Sequence, residues 1–280
     1  MCEWENRTKT FMIKSTPQII DILDNTFDLD AQHILELGKR NTFIYGGTYR
    51  FNTIDSNIID KDHEQNLAAV YIQDEFSPLH EVSLLAGARV DRHPLVGVNI
   101  SPRGRVIYSP TDHHTLRFSV GKAFRNPSFT DSYFQLTTPL DPLVVGVPGL
   151  ELKLVGEPDL ESEKITTYEI GYMFFPSYRF RTEVNFFRYN FKDYIGFSEK
   201  KQEGTTFIQS YVNLGKASAD GFEVSADIIP LRWLKMSSNY SYQNLNNDYT
   251  VLKTQYPPKH KANLKLFFNL PRGLSVSFLT

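Results

Sequence analysis

The stretch Leu116-Arg117-Phe118-Ser119-Val120-Gly121-Lys122-Ala123-Phe124 decides how this chain is read. Leu116, Phe118, Val120 and Phe124 share one parity; Arg117, Ser119, Gly121 and Ala123 share the other, and Arg125 follows. Successive side chains on a strand point to opposite faces, so the pattern predicts a sheet with one apolar and one hydrated face. The same period recurs around Tyr168, Ile170 and Tyr172, around Phe222, Val224 and Ile228, around Met236, Tyr240 and Tyr242, and around Leu264, Leu266 and Phe268. Counting such runs predicts about twelve strands. They lie near 27–37, 41–53, 65–76, 82–92, 98–109, 114–126, 163–175, 179–191, 206–229, 232–245, 259–269 and 275–280.

Length separates two all-β architectures. Soluble strands run about 5–6 residues, whereas a tilted strand that crosses a bilayer needs about 9–11. Several of the predicted strands reach the second figure. The connections alternate as well. Short turns fall near 38–41, 77–81, 110–114, 176–178, 230–232 and 271–273, and longer polar connections at 55–64, 129–162, 193–205 and 244–258. A meander with tight turns at one end and long loops at the other predicts an antiparallel transmembrane β-barrel. The short turns then face the periplasm and the long loops face outside.

Composition is compatible with this and excludes other classes. The chain is 41% hydrophobic and 22% charged, with a net charge of −2 and 36 Phe and Tyr residues (21 + 15). No basic stripe marks it for nucleic acid, so no nucleic-acid partner is expected. No apolar run approaches the length of a membrane-spanning helix. A barrel escapes that test because its polar inner face dilutes every window. The single Cys2 rules out an internal disulfide and a four-ligand zinc site of the cysteine type.

Enzyme motifs are missing: there is no GxSxG, Walker A loop, GxGxxG or HExxH. His63-Glu64 and His80-Glu81 begin like HExxH but lack the second histidine, and the adjacent His113 and His114 make a poor ligand pair. Asp91, Glu169, Glu183 and Glu223 lie on the polar parity, where hydrated carboxylates need no catalytic role. No catalysis, no cofactor and no metal site is expected.

Two cations disturb the apolar parity, Lys122 in one strand and Arg188 beside Val184 and Phe186 in another. A cation at the bilayer midplane costs about 2–4 kcal/mol, falling to about 0–1 near the interface. Both residues fall toward the long-loop end. Either they reach anionic headgroups there, or a β-bulge flips the parity.

The longest connection, 129–162, holds Pro139, Pro142, Pro148 and Pro158 with Gly146, Gly149 and Gly156, and starts with an aromatic segment. Loops of this length are usually functional or disordered. Candidate ligand-binding residues are Tyr133, Phe134 and Asp141 in this loop, with Arg125 at the strand mouth, because aromatic and charged groups suit ligand capture. A packed cap without ligand contact fits the same residues.

Four segments resemble the C-terminal half of TonB-dependent outer-membrane receptors. Gly121-Lys122-Ala123-Phe124-Arg125-Asn126-Pro127-Ser128 is similar to that family's G-x-A-F-R-x-P-S. Gly156-Glu157-Pro158-Asp159-Leu160-Glu161-Ser162-Glu163, followed by Tyr168-Glu169-Ile170-Gly171, is similar to G-N-P-x-L-x-P-E and Y-E-x-G, with Glu157 replacing Asn and Ser162 replacing Pro. Residues 184–195 and Tyr211-Val212-Asn213-Leu214-Gly215-Lys216-Ala217 with Gly221-Phe222-Glu223 supply the other two. The segments occur in the family's order and cover at least 65–270. Asp220-Gly221 allows a bend or bulge where the chain resumes alternation.

The resemblance implies uptake of a scarce nutrient (a ferric siderophore, haem, cobalamin or a glycan), with the outer-membrane lipid, the small-molecule ligand and the TonB complex as partners. It implies a 22-strand barrel closed by a plug domain. The expectation is therefore an incomplete, open part of such a barrel over 27–280, a poorly placed segment at 1–26, and a plug domain absent from this chain. Met1–Arg7 lacks a signal-peptide layout, so an upstream start is also expected. A passive porin-like channel is the alternative function, and an outer-membrane enzyme or a soluble β-rich binding protein a further one. The resemblance places the protein in a Gram-negative type of outer membrane.

Overall fold

The computed structural model describes residues 2–12, 19–140, 148–247 and 257–279. In chain order these form β1 (Cys2–Met12), β2 (Ile19–Leu37), β3 (Asn41–Ser56), β4 (His63–Leu79), β5 (Val82–His93), β6 (Gly97–Thr111), β7 (His114–Arg125) and the short helix α1 (Phe129–Tyr133). There follow β8 (Gln135–Pro139), β9 (Glu151–Val155), β10 (Glu163–Ser177), β11 (Phe180–Lys192), β12 (Ile195–Phe197) and β13 (Lys201–Glu203). The last are β14 (Thr206–Asn213), β15 (Lys216–Leu231), β16 (Leu234–Asn247), β17 (His260–Asn269) and β18 (Ser275–Leu279).

Thirteen of these strands pair antiparallel in the order β1-β2-β3-β4-β5-β6-β7-β10-β11-β15-β16-β17-β18. The sheet is an open meander: among the described residues β1 and β18 are its edges and do not pair with each other. The segment that the sequence leaves unplaced carries β1 and the start of β2.

Register fixes which residues share a face. Leu116, Phe118 and Val120 stand opposite Tyr172, Ile170 and Tyr168, which stand opposite Val184, Phe186 and Arg188. The same parity continues to Val224 and Phe222, then to Tyr240 and Tyr242. In the other direction it reaches Val106, Leu84 and Phe76. This face is left bare: Val70, Ile72, Ile100, Ile170 and Phe186 each keep more than half their surface exposed. Soluble monomers rarely expose a contiguous apolar surface beyond a few hundred Å², and a soluble sandwich buries this parity between its sheets. The sheet instead turns it outward, as a lipid-facing wall does.

The opposite face is polar and concave. Side chains two strands apart meet on it: Arg89 of β5 donates to Thr48 of β3 (3.0 Å), and Tyr71 of β4 donates to Gln32 of β2 (3.0 Å). Arg103 of β6 reaches Gln73 of β4, and Arg117 of β7 donates to Asn185 of β11 (2.8 Å). Neighbouring strands lie about 4.8 Å apart, so each of these pairs bridges an intervening strand.

At the short-turn end the same device recurs in four hairpins. The register shifts where Pro78, Pro110, Pro176 and Pro230 enter. Proline has no N–H for the ladder, so it sits where the ladder is interrupted. The residue before each proline keeps its N–H and donates it to the preceding hairpin: Ser77 to Arg40 (2.8 Å), Ser109 to Glu81 (2.7 Å), Phe175 to His113 (2.8 Å) and Ile229 to Arg179 (2.8 Å).

Three sequence expectations change. The predicted strand 206–229 is two strands in different sheets, β14 and β15, because Gly215 takes φ +90° between them, a conformation glycine tolerates and other residues avoid. Gly221 makes no bulge, since the β15 register runs unbroken from Ala217 to Ile228. A Cβ there would strike the Tyr242 carbonyl and the Phe187 ring, so the glycine serves close approach. Finally, no register shift lies near Lys122 or Arg188, so both cations truly occupy the outward parity.

Candidate functional site at the long-loop mouth

The long connections do not hang free. They fold into a second, smaller sheet in the order β12-β14-β9-β8, with β13 on β14. β14 and β9 pair in parallel, Thr206 with Glu151 through Ser210 with Val155, which joins two connections far apart in sequence.

Residues just after β7 start this cap. Ser128 is the N-cap of α1: its hydroxyl accepts from the Asp131 N–H (3.1 Å), and the Asp131 carboxylate accepts from the Ser128 N–H (2.9 Å). Reciprocal bonding of this kind satisfies two free helix-end donors. Asp131 is buried, and its Oδ2 also receives Arg125 Nη1 at 2.8 Å. Arg125 closes a second, two-pronged contact onto Glu163, Nε to Oε2 at 2.6 Å and Nη2 to Oε1 at 3.0 Å. Glu163 Oε1 further accepts the Ile195 N–H at 2.7 Å. One guanidinium thus ties the end of β7, the start of α1, the start of β10 and the entry to β12. The fork geometry of arginine suits this bridging and an ammonium does not.

Beside it, Asn126, Ser162 and Asn99 form a hydrogen-bonded triangle. Ser162 Oγ donates to Asn126 Oδ1 (2.8 Å), and Asn99 Nδ2 donates to Ser162 Oγ (2.8 Å) and Asn126 Oδ1 (3.1 Å). Ser162 is 2% exposed. A proline in its place supplies no hydroxyl, so this departure from the family's motif has a local partner set.

Apolar packing completes the mouth. Ile54, Ile58 and Ile59 form a buried cluster against Phe129, Tyr133, Phe134 and Leu136. The Tyr133 ring stacks on His63 with centroids 3.5 Å apart and planes 9° apart, and His63 Nε2 lies 2.7 Å from Asp60 Oδ1. That bond holds the Asp60 carboxyl below the usual carboxylate range, while burial, then the Asp60 charge, pushes the Tyr133 phenol up. Phe134 meets Tyr211 edge-on at 6.5 Å, and Tyr211 packs on Phe197 at 4.5 Å. Burial pushes the Tyr211 phenol up as well. Gly156 lets β9 close: a Cβ there would lie 2.5 Å from the Tyr133 and Phe134 nitrogens.

The structure therefore brings Arg125, Tyr133 and Phe134 into one assembly, with their side chains engaged with Glu163 and Asp131, with His63 and with Tyr211. Asp141 lies outside the described residues, with Pro142 and Gly146. Sequence reading missed Asp131, Glu163, Asn99 and His63. For Asp131 a signal exists, the Ser-x-x-Asp capping pattern at Ser128.

Below the mouth lie charged cavities on the inner face. One of about 450 Å³ is lined by Asp28, Arg50, Arg89, Asp91, Arg92 and Asn126. Arg50 pairs with Asp28, and Arg89 Nε lies 2.9 Å from Asp91 Oδ1. A second, of about 540 Å³, holds Arg103, Arg105 and Arg117 with Glu75 and Glu169. Among the described residues no cluster of metal-ligating side chains occurs.

A long-stranded antiparallel meander with a bare apolar outer face, a charged concave inner face and a loop-built cap is the wall of an outer-membrane type of β-barrel. The comparisons narrow this class. Residues 6–278 match the family model described as TonB dependent receptor-like, beta-barrel, and the chain belongs to that family.

The chain is 26% identical over 237 residues to the probable TonB-dependent siderophore receptor PirA of Acinetobacter baumannii, covering 77% of this chain and 31% of that protein. It is 25% identical over 196 residues to the ferrienterobactin receptor of Escherichia coli K12, covering 68% of this chain and 26% of that protein. The crystal structure of the siderophore receptor PirA from Pseudomonas aeruginosa superposes with a TM-score of 0.76 at 20% identity, over 93% of this chain and 48% of that one. The chain thus spans about a third or less of the length of these curated relatives.

Proposed function

We propose that this chain forms part of the barrel wall of a receptor that draws a ferric siderophore across the outer membrane of a Gram-negative type of cell, using energy delivered by TonB. The observation that carries this reading is the cap of long connections seated over an arginine-bearing inner wall. Arg103, Arg105 and Arg117 line one inner cavity with Glu75 and Glu169, a surplus of positive charge suited to an anionic chelate, while in the other Arg50, Arg89 and Arg92 are balanced by Asp28, Asp30 and Asp91. The relatives named above are siderophore receptors, which favours a ferric siderophore over the other nutrients that the resemblance allows and does not favour the porin-like reading.

In this reading Arg125, Tyr133 and Phe134 shape the mouth that the ligand meets first, and Asp141 belongs to the same connection. TonB engages a plug domain that lies outside these 280 residues. The test is uptake of radio-iron as ferric enterobactin by iron-starved cells that lack their own receptor for it and express the full-length protein. TonB-dependent accumulation is expected, reduced at least tenfold by Arg103→Gln with Arg105→Gln. Accumulation that persists without TonB, or a stable open conductance of the purified protein, contradicts the reading.

A further inference from the structure

The outward parity changes character along five neighbouring strands. In β7 Leu116, Phe118 and Val120 are followed by Lys122, with Phe124 beyond it at the strand end; in β10 Tyr172, Ile170 and Tyr168 give way to Thr166 and Lys164. In β11 Val184 and Phe186 give way to Arg188, Asn190 and Lys192; in β15 Val224 and Phe222 give way to Asp220, Ser218 and Lys216. In β16 Tyr240 and Tyr242 give way to Asn244 and Asn246. The switch comes one register pair earlier in β11, β15 and β16, at Arg188, Asp220 and Asn244, than in β7 and β10, at Lys122 and Thr166, and in each strand it lies toward the long-loop end. No bulge flips the parity there, so these cations share the outer wall with the lipid-facing residues.

The polar rows form a groove of about 520 Å³ lined by Lys122, Arg188, Lys192 and Lys216, with Tyr168 and Asn190. Lys122, Arg188 and Lys192 are exposed and have no ion pair among the described residues. Asp220 is the carboxylate in these rows, opposite Arg188. Lys164 is already held by Glu161 (3.4 Å) and Asp193 (3.5 Å) and is left out of the site.

We infer that this groove is a binding site for the phosphate-bearing headgroup of a lipid in the outer leaflet. The inference rests on the membrane seating proposed above. Two features on the wall favour a lipid over a free anion. The cations adjoin the apolar belt directly, so acyl chains have a surface to lie on where Phe118, Ile170 and Phe186 stand. Tyr168 and Tyr242 sit at the boundary, where an aromatic ring with a polar tip prefers the headgroup level. A single outward cation can snorkel; several on adjacent strands bring their charge to one place, and phosphate oxygens complement them.

The experiment uses the full-length protein in a neutral maltoside detergent. Native mass spectrometry follows its titration with a bis-phosphorylated glycolipid, with the same glycolipid stripped of its phosphates, and with inorganic phosphate. Retention of the phosphorylated lipid at least tenfold above the stripped one is expected, weakening as salt rises. Lys122→Gln with Arg188→Gln is expected to abolish the preference, Lys122→Arg with Arg188→Lys to keep it, and Arg181→Gln at the short-turn end to leave it unchanged. Equal retention by the wild type and the double glutamine variant overturns the site. Inorganic phosphate competing at the same concentration as the lipid overturns the lipid assignment in favour of a soluble-anion site. A wild-type protein that stays monodisperse without detergent overturns the membrane seating, and the proposal with it.

Discussion

At the scale of single residues, Arg125 does the most joining. It was visible in the sequence as part of a family-like motif at a strand end, but its partners were not. Asp131 lies six residues on and Glu163 lies across the 129–162 connection, so their meeting depends on the β7–β10 register rather than on any local pattern. Arg125 keeps about half its side chain exposed, which moderates its ion pairs. Replacing it with Ala leaves two largely covered carboxylates without their cation. The expected cost is about 1–2 kcal/mol of local stability, read as faster limited proteolysis within 129–162 while the barrel strands stay protected. Arg125→Lys, which keeps the charge but not the fork, is expected to fall between the two. Proteolysis unchanged by Arg125→Ala argues that the clamp is dispensable.

At the scale of elements, parity was legible and pairing partners were not. The alternation of Leu116–Phe124 locates β7 and its outer face without help from any other segment. β8, β9, β13 and β14 are short or fully half-buried, and β14 pairs in parallel with a strand from another connection, so neither period nor turn chemistry marks them. The break at Gly215 carries a local signal in Asn213 and Gly215, which the period-2 reading of 206–229 passes over. The cap also carries a pH dependence. Asp60 is bonded to His63, which stacks on Tyr133 of α1. Because the Asp60 carboxyl is depressed in the folded chain, its contribution is present above the unfolded carboxylate value of about 4 and is lost as pH falls through the folded value. Lowering pH from about 5 toward 3 is therefore expected to speed hydrogen exchange at the Gln135 amide, which bonds the Ile58 carbonyl, after correction for intrinsic rates. Asp60→Asn is expected to flatten that dependence; an unchanged pH profile in the variant places the titration elsewhere.

At the scale of the whole molecule, the distribution of apolar surface is the deciding fact. The buried apolar cluster sits under the long connections, while the outward Val, Ile and Phe side chains stay bare. The bare outer face follows from strand length and parity, which is why the membrane architecture was readable from sequence, while the buried cluster depends on how the long connections fold, which is why the cap was not. Each outward Val, Ile, Leu or Phe gains about 1.5–3 kcal/mol when removed from water, so the membrane seating proposed above stabilises the sheet in addition to its ladders. The central claim is that the two ends of this wall face opposite sides of an outer membrane. It is tested most directly by cysteine accessibility in the full-length protein, with Cys2 replaced by Ser and single cysteines introduced as Lys39→Cys at a short turn and Lys153→Cys in the cap. On intact cells a membrane-impermeant maleimide is predicted to label the Lys153→Cys protein and to reach the Lys39→Cys protein only after the outer membrane is opened. Equal labelling of both on intact cells, or labelling of the short turn alone, contradicts the account.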